Sequence, residues 1–130
     1  MNEEEDKIKK LILVVEDDSV LRPLLVELLS EMQFNVLVAE DGQAALTLLQ
    51  EINGQQNNID LLLTDIGLPG INGNDLAKTA RKMWPNLSIL FITGYAHGVG
   101  QLPTDDNIKL ITKPFSLGAL TSRVEELVTR

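Results

Sequence analysis

The sequence predicts a single doubly wound α/β domain, with five parallel strands in one sheet and helices on both of its faces. Three observations carry this. Short apolar runs rich in β-branched residues alternate with stretches of helical periodicity, giving five β-α units of which the fourth α unit is weak. The runs are continuously apolar rather than alternating, as strands covered on both faces are. The 130 residues, 44% of them apolar, suffice for one domain with a real hydrophobic core.

Residues 1–9 are mostly charged and are expected to form a tail, frayed over Met1 to Asp6, ahead of a domain spanning 10–130. Leu11 to Val15 is the first strand and stops at Glu16-Asp17-Asp18. Asp18 or Ser19 can cap the helix that follows. Its stripe is Leu21, Leu24, Leu25, Leu28, Leu29 and Met32, and Pro23 falls in the first turn, where proline costs little. Asn35 to Val38 is a short second strand. Gln43 to Ile52 is a second helix with Ala45, Leu48, Leu49 and Ile52 on one face, ended by the polar turn Gly54 to Asn58.

Ile59 to Thr64 is the third strand. It runs into Asp65 and the turn-rich loop Ile66-Gly67-Leu68-Pro69-Gly70-Ile71-Asn72-Gly73. Asp75 to Trp84 reads as a third helix with Leu76, Ala80 and Met83 inward, stopped by Pro85. Leu87 to Ile92 is the fourth strand, ending at Thr93-Gly94. From Tyr95 to Asn107 the breakers Gly98, Gly100 and Pro103 leave no helical stripe. Ile108 to Ile111 is a short fifth strand ending at Thr112-Lys113-Pro114. Ser116 can cap a final helix with Leu117, Leu120, Val124 and Leu127 inward.

Composition narrows the function classes. The chain has no cysteine, so disulfides, thiolate catalysis and Cys-ligated metals are excluded. Its net charge of −8 argues against generic nucleic-acid or anionic-membrane binding and fits either simple solubility or carboxylates gathered around a cation. The charged start has no apolar signal region and no apolar run reaches membrane-spanning length, so the expected address is the cytoplasm.

In a parallel sheet the C-terminal ends of all strands lie along one edge. Glu16 and Asp17 follow the first strand, Asp65 the third, Thr93 the fourth and Lys113 the fifth. If the strand order reverses beside the first strand, these groups converge in the crevice at the switch point. Carboxylates held that close repel and raise each other's pKa unless a cation sits among them. Oxygen ligands of this kind suit Mg²⁺. Lys113 and Thr93 add one positive charge and one hydroxyl opposite. Such a set suits a doubly charged tetrahedral oxyanion at a carboxylate, and Asp65 is the natural nucleophile because a carboxylate needs no deprotonation at neutral pH. Taken singly, each feature is ordinary: an acidic turn, a strand end, a Lys-Pro turn.

The ordered strings Val14-Val15-Glu16-Asp17-Asp18, Asp65-Ile66-Gly67-Leu68-Pro69-Gly70-Ile71-Asn72-Gly73, Ile92-Thr93-Gly94 and Thr112-Lys113-Pro114-Phe115 resemble the receiver domain of bacterial two-component response regulators, over about Lys10 to Val128. The resemblance implies a flavodoxin-like strand order 2-1-3-4-5. It implies that Asp65 is the phosphoacceptor, that Asp65, Asp17, Glu16 (through water) and the Gly67 backbone carbonyl hold Mg²⁺, and that Thr93 and Lys113 engage the phosphoryl group. It implies a cis Lys113-Pro114 bond. The partner is then a sensor or hybrid histidine kinase, with a histidine phosphotransfer or target protein downstream. No nucleic acid or membrane is involved, the chain is a monomer or weak dimer, and it catalyses only its own phosphorylation and dephosphorylation.

Two departures stand out. Leu110 occupies the position, three before the lysine, where the family usually has Tyr or Phe, so the aromatic switch is absent. The stretch after Thr93 is broken where the family has its fourth helix, which is therefore expected to be short or irregular. Both features leave open a phosphorelay or phosphate-sink module, such as the receiver of a hybrid kinase, beside a signalling switch. A small-molecule enzyme on a flavodoxin-like fold is a third alternative, although no flavin-binding loop is evident. His97, the only histidine, reads as exposed, since no amphipathic helix surrounds it. Gly67, Gly70 and Gly73 match no phosphate-cradling fingerprint. Trp84 reads as packing at a helix end, Asp18 as a surface or capping residue, and Tyr95 as a neighbour of the site.

Overall fold

The computed structural model describes residues 9–94 and 105–129. Residues 1–8, Tyr95, His97 and most of the stretch expected to hold the irregular fourth helix lie outside the described residues. Among those described, the order is β1 (Leu11–Val15), α1 (Leu21–Glu31), β2 (Asn35–Ala39), α2 (Gly42–Gly54), β3 (Leu61–Asp65), α3 (Gly73–Met83), β4 (Ser88–Thr93), β5 (Ile108–Thr112) and α4 (Leu117–Val128). The strands form one five-stranded sheet, all parallel, in the order β2-β1-β3-β4-β5. The chain steps outward from β1 to β2 and then returns to the other side of β1 for β3. That reversal opens a crevice at the C-terminal ends of β1 and β3.

The continuous apolar runs are explained by two separate cores. Leu13 and Val15, Leu62, and Ile89 and Phe91 face α2 and α3 with Ala45, Leu49, Leu76, Ala77 and Ala80. Ile12 and Val14, Leu61 and Leu63, and Leu90 and Ile92 face α1 and α4 with Leu25, Leu29, Leu120, Val124 and Leu127. Successive residues of one strand feed opposite cores, so both parities must be apolar. The edge strands β2 and β5 are less buried.

Helix starts follow side-chain caps. Asp41 accepts from Ala44 N at 2.8 Å, Asn72 from Asp75 N at 2.8 Å and Ser116 from Ala119 N at 3.0 Å. Capped by Asn72, α3 starts at Gly73, two residues before the expected Asp75. At α1 the structure chooses Asp18 over Ser19: Asp18 Oδ1 accepts from Val20 N at 2.7 Å and Leu21 N at 3.0 Å. These two bonds, led by that from Leu21, hold the Asp18 carboxyl below its ordinary range.

Three expectations need correction. Leu24 is 45% exposed and Leu117 46% exposed, so neither joins the inward stripe. Leu24 lies a full 100° step round α1 from the buried Leu25, and Leu117 is the first residue of α4, where the helix has not yet met the sheet. The third strand begins at Leu61 and not at Ile59. Asp60 instead turns its carboxylate onto β1, accepting from Leu11 N at 2.7 Å, while its own N–H donates to Leu11 O at 2.9 Å. Trp84 packs at the end of α3, as expected.

Leu25 and Leu24 make a direct test of this packing. Leu25→Ala is expected to cost about 2–5 kcal/mol. Leu24→Ala is expected to stay within about 0.5 kcal/mol of the parent. Urea unfolding of both variants measures the difference, and equal losses would contradict the placement of α1.

Candidate functional site

Strand register builds the site. Val15 pairs with Thr64, so Glu16 stands beside Asp65, and Asp65 pairs in turn with Ile92. Thr93 is one residue further along β4 and pairs with Thr112, and Lys113 is one further along still. Backbone hydrogen bonds continue the ladder past the strand ends: Glu16 N to Ala39 O at 3.2 Å, Ile66 N to Ile92 O at 2.9 Å and Lys113 N to Thr93 O at 2.7 Å. Glu16 and Asp65 thus cap the two apolar columns Ile12–Val14 and Leu61–Leu63.

The charged atoms converge as expected. Lys113 Nζ donates to Asp65 Oδ2 at 2.9 Å and lies 3.2 Å from Glu16 Oε1. Carboxylate oxygens of Glu16, Asp17 and Asp65 lie within 4.8 Å of one another. Glu16, Asp65 and Thr93 are buried and Asp17 is exposed. The second oxygen of Asp65, Oδ1, accepts from Gly67 N at 2.9 Å, which fixes the loop over the carboxylate. Glu16 Oε2 accepts from Asp18 N at 3.1 Å, whereas Oε1 is buried and makes no well-aligned hydrogen bond, with the Lys113 ammonium 3.2 Å away. The Lys113–Pro114 bond is cis, as the resemblance implies.

The electrostatics are those of a cluster with too much negative charge. Burial pushes the Glu16 carboxyl from 4.5 up to about 7, and the Asp65 charge adds to this against the Asp18 N–H and Lys113. Burial alone would lower the Lys113 ammonium, but the Asp65 hydrogen bond and the charges of Asp65 and Glu16 outweigh it and hold Lys113 above its ordinary 10.5. A hard divalent cation fits this donor set. It would meet oxygens of three carboxylates, one of them buried and without a hydrogen bond.

Two glycines seat the loop that follows Asp65. A Cβ on Gly73 would collide with the Asp65 carbonyl oxygen and come within 2.9 Å of Ile66 Cα, and the Gly73 N–H donates to Ile66 O at 2.9 Å. A Cβ on Gly42, at the start of α2, would collide with the Ile71 carbonyl oxygen and come within 2.7 Å of Ile71 Cβ. The motif glycine Gly73 was visible in the sequence. The parts of Gly42, of the Asp18 N–H and of Arg22, whose guanidinium reaches the Glu16 carbonyl at 3.0 Å, were not. Only the Glu16-to-Arg22 spacing, which puts Arg22 in the first turn of the helix, hints at the last.

The fold and this acidic edge of the sheet are those of a receiver domain. A sequence model of the response regulator receiver domain matches residues 12–125, and the chain belongs to that family. The response regulator receiver protein CpdR of Brucella abortus (strain 2308) is 37% identical over 122 residues, 92% of this chain and 97% of CpdR. The crystal structure of the receiver domain from the hybrid histidine kinase CckA is 35% identical, with a TM-score of 0.74 over 90% of this chain and 98% of that one. TrrA of Thermotoga maritima, solved in complex with Mg²⁺-BeF, is 33% identical, with a TM-score of 0.75 over 91% and 98% of the respective chains. Receiver domains are signalling modules of two-component systems rather than turnover enzymes, and they bind Mg²⁺ at an acidic pocket.

Two predictions follow from the geometry. Gly73→Ala is expected to cost about 1–3 kcal/mol, because backbone and not a flexible side chain must give way. Urea unfolding measures this, and amide chemical shifts at Asp65 and Gly67 should move with it. The second concerns pH. The folded pKa of Glu16 lies above its unfolded value, so the native state binds the extra proton between pH 4.5 and about 7. In chelator, stability should therefore fall as pH rises through that window. Asp18 and Asp105, held low, lose their contributions only as pH falls below 3.8. Glu16→Gln should flatten the decline. Parallel pH slopes in the two proteins would refute the assignment.

Proposed function

We propose that Asp65 accepts a phosphoryl group from a phosphohistidine of a sensor or hybrid histidine kinase and acts as a signalling switch. The supporting observation is the ammonium of Lys113 shared between Asp65 Oδ2 at 2.9 Å and Glu16 Oε1 at 3.2 Å, at the switch point of the sheet. An Asp65 carboxylate oxygen forms a bond to phosphorus while the P–N bond of the donor breaks. The electron pair leaves on the imidazole nitrogen, which takes a proton from solvent. Formation of the acyl phosphate removes the carboxylate charge of Asp65, so Lys113 turns to a phosphoryl oxygen and Thr93 offers its hydroxyl to another. Asp17, Asp65, the Gly67 carbonyl and, through water, Glu16 would hold Mg²⁺. When bound, Mg²⁺ offsets negative charge on the phosphoryl oxygens. Water later cleaves the acyl phosphate, releasing inorganic phosphate and restoring the carboxylate. On this reading the domain, residues 10–130, works in the cytoplasm, where phosphodonors charged by nucleotides are made. Among the described residues no helix is long and apolar enough to cross a membrane.

A relay or phosphate-sink role is the second reading, and Leu110 favours it. Leu110 pairs with Phe91 and packs half-buried against the α2–α3 core, where an aliphatic chain has no aromatic ring to swing. The likeness to the CckA receiver points the same way. Acetyl phosphate with Mg²⁺ should label the parent stoichiometrically and leave Asp65→Asn unlabelled, as read by intact-protein mass. Labelling of Asp65→Asn would sink both readings. A phosphorylation-dependent change in oligomeric state would favour the switch over the relay.

A further inference from the structure

The acidic pair needs a support that leaves its carboxylates free. Residues 16–20 join β1 to α1, and the carbonyl oxygens of Glu16, Asp17 and Asp18 turn toward one residue, the first two to its side chain and the third to its backbone N–H. Arg22 NH1 donates to Glu16 O at 3.0 Å and to Asp17 O at 3.4 Å, and Arg22 N donates to Asp18 O at 3.0 Å. Arg22 sits in the first turn of α1 and is half-buried.

In a cluster of carboxylates a guanidinium would ordinarily take a bidentate grip on one of them. Here it binds main-chain oxygens instead. The carboxylates of Glu16, Asp17 and Asp65 stay available to a cation and to Lys113. With its carbonyls drawn toward Arg22, the loop turns the Asp18 N–H toward Glu16 Oε2, at 3.1 Å. A permanent positive charge also lies beside a segment whose like charges would otherwise spread it.

We propose that Arg22 is a positioning residue for the divalent cation: by holding the carbonyls of Glu16 and Asp17 with its guanidinium it presents the acidic pair at metal-binding spacing. This rests on the Mg²⁺-dependent phosphoacceptor reading above. Arg22 touches no reacting atom, so it acts on cation affinity and not on the chemical step.

The test compares the full chain with Arg22→Met and Arg22→Lys, using Mg²⁺ alone in calorimetric titration and acetyl phosphate as a donor that needs no docking protein. Outer supports of metal ligands typically govern about 10–100-fold of affinity. Arg22→Met should therefore weaken Mg²⁺ binding by about 10-fold or more while the labelling rate at saturating Mg²⁺ stays within about 2-fold of the parent. Arg22→Lys keeps the charge and one donor and should recover part of the affinity. Amide exchange of residues 17–19 in the cation-free protein should rise in Arg22→Met. Unchanged Mg²⁺ affinity with lowered stability would reduce Arg22 to a helix-start contact and overturn the proposal. A loss of rate that saturating Mg²⁺ does not restore would overturn it too. Failure of the parent itself to bind Mg²⁺ would instead indict the phosphoacceptor reading.

Discussion

The structure is organised around one shortage of positive charge. Glu16, Asp17 and Asp65 bring carboxylate oxygens within 4.8 Å of one another, and among the described side chains it is Lys113 that contacts two of them. At ~4 Å a pair of unit charges interacts by about 4 kcal/mol at an effective dielectric constant of ~20. One ammonium, itself about a third exposed at 30%, offsets only part of the repulsion among three such groups. Burial, and after it the charge of Asp65, raises the pKa of Glu16. A cluster left short of charge in this way is receptive to a cation.

Holding such a cluster together is the task of the surrounding fold. The apolar columns of β1 and β3 run up to Glu16 and Asp65 and leave them no room to relax apart. The 2.7 Å bond from Lys113 N to Thr93 O ties the lysine to the hydroxyl residue, so a displacement of either strand end is felt by the other. Arg81 anchors the far side of the sheet. Its guanidinium grips Asp105 at 2.9 Å and 3.3 Å and its Nε donates to Leu87 O at 2.7 Å, linking α3 to the chain just ahead of β4 and β5.

Much of this was legible in the sequence because it is written in patterns of burial. Strands sandwiched between two helical layers must be apolar at every position, so Leu11–Val15 and Leu87–Ile92 announce themselves. The convergence of Glu16, Asp17, Asp65 and Lys113 was legible because strand ends in a parallel sheet share one edge. Less legible were features decided by contacts between segments far apart in the chain. Leu24 and Leu117 look inward by spacing, yet the helices present them to solvent. Asp60 looks like part of a strand, yet its carboxylate caps β1. The service of Arg22 to the acidic pair depends on carbonyl directions that no residue type encodes.

The fit of Gly42 against Ile71 bears on protein engineering. The segment from Asp65 to Gly73 looks like a portable motif, contiguous and self-contained. It is not, because its far end rests on a helix start that belongs to the preceding β-α unit, and that start has no space for a single methyl group. A designer who grafts the loop onto another doubly wound scaffold must bring the glycine at the head of α2 with it.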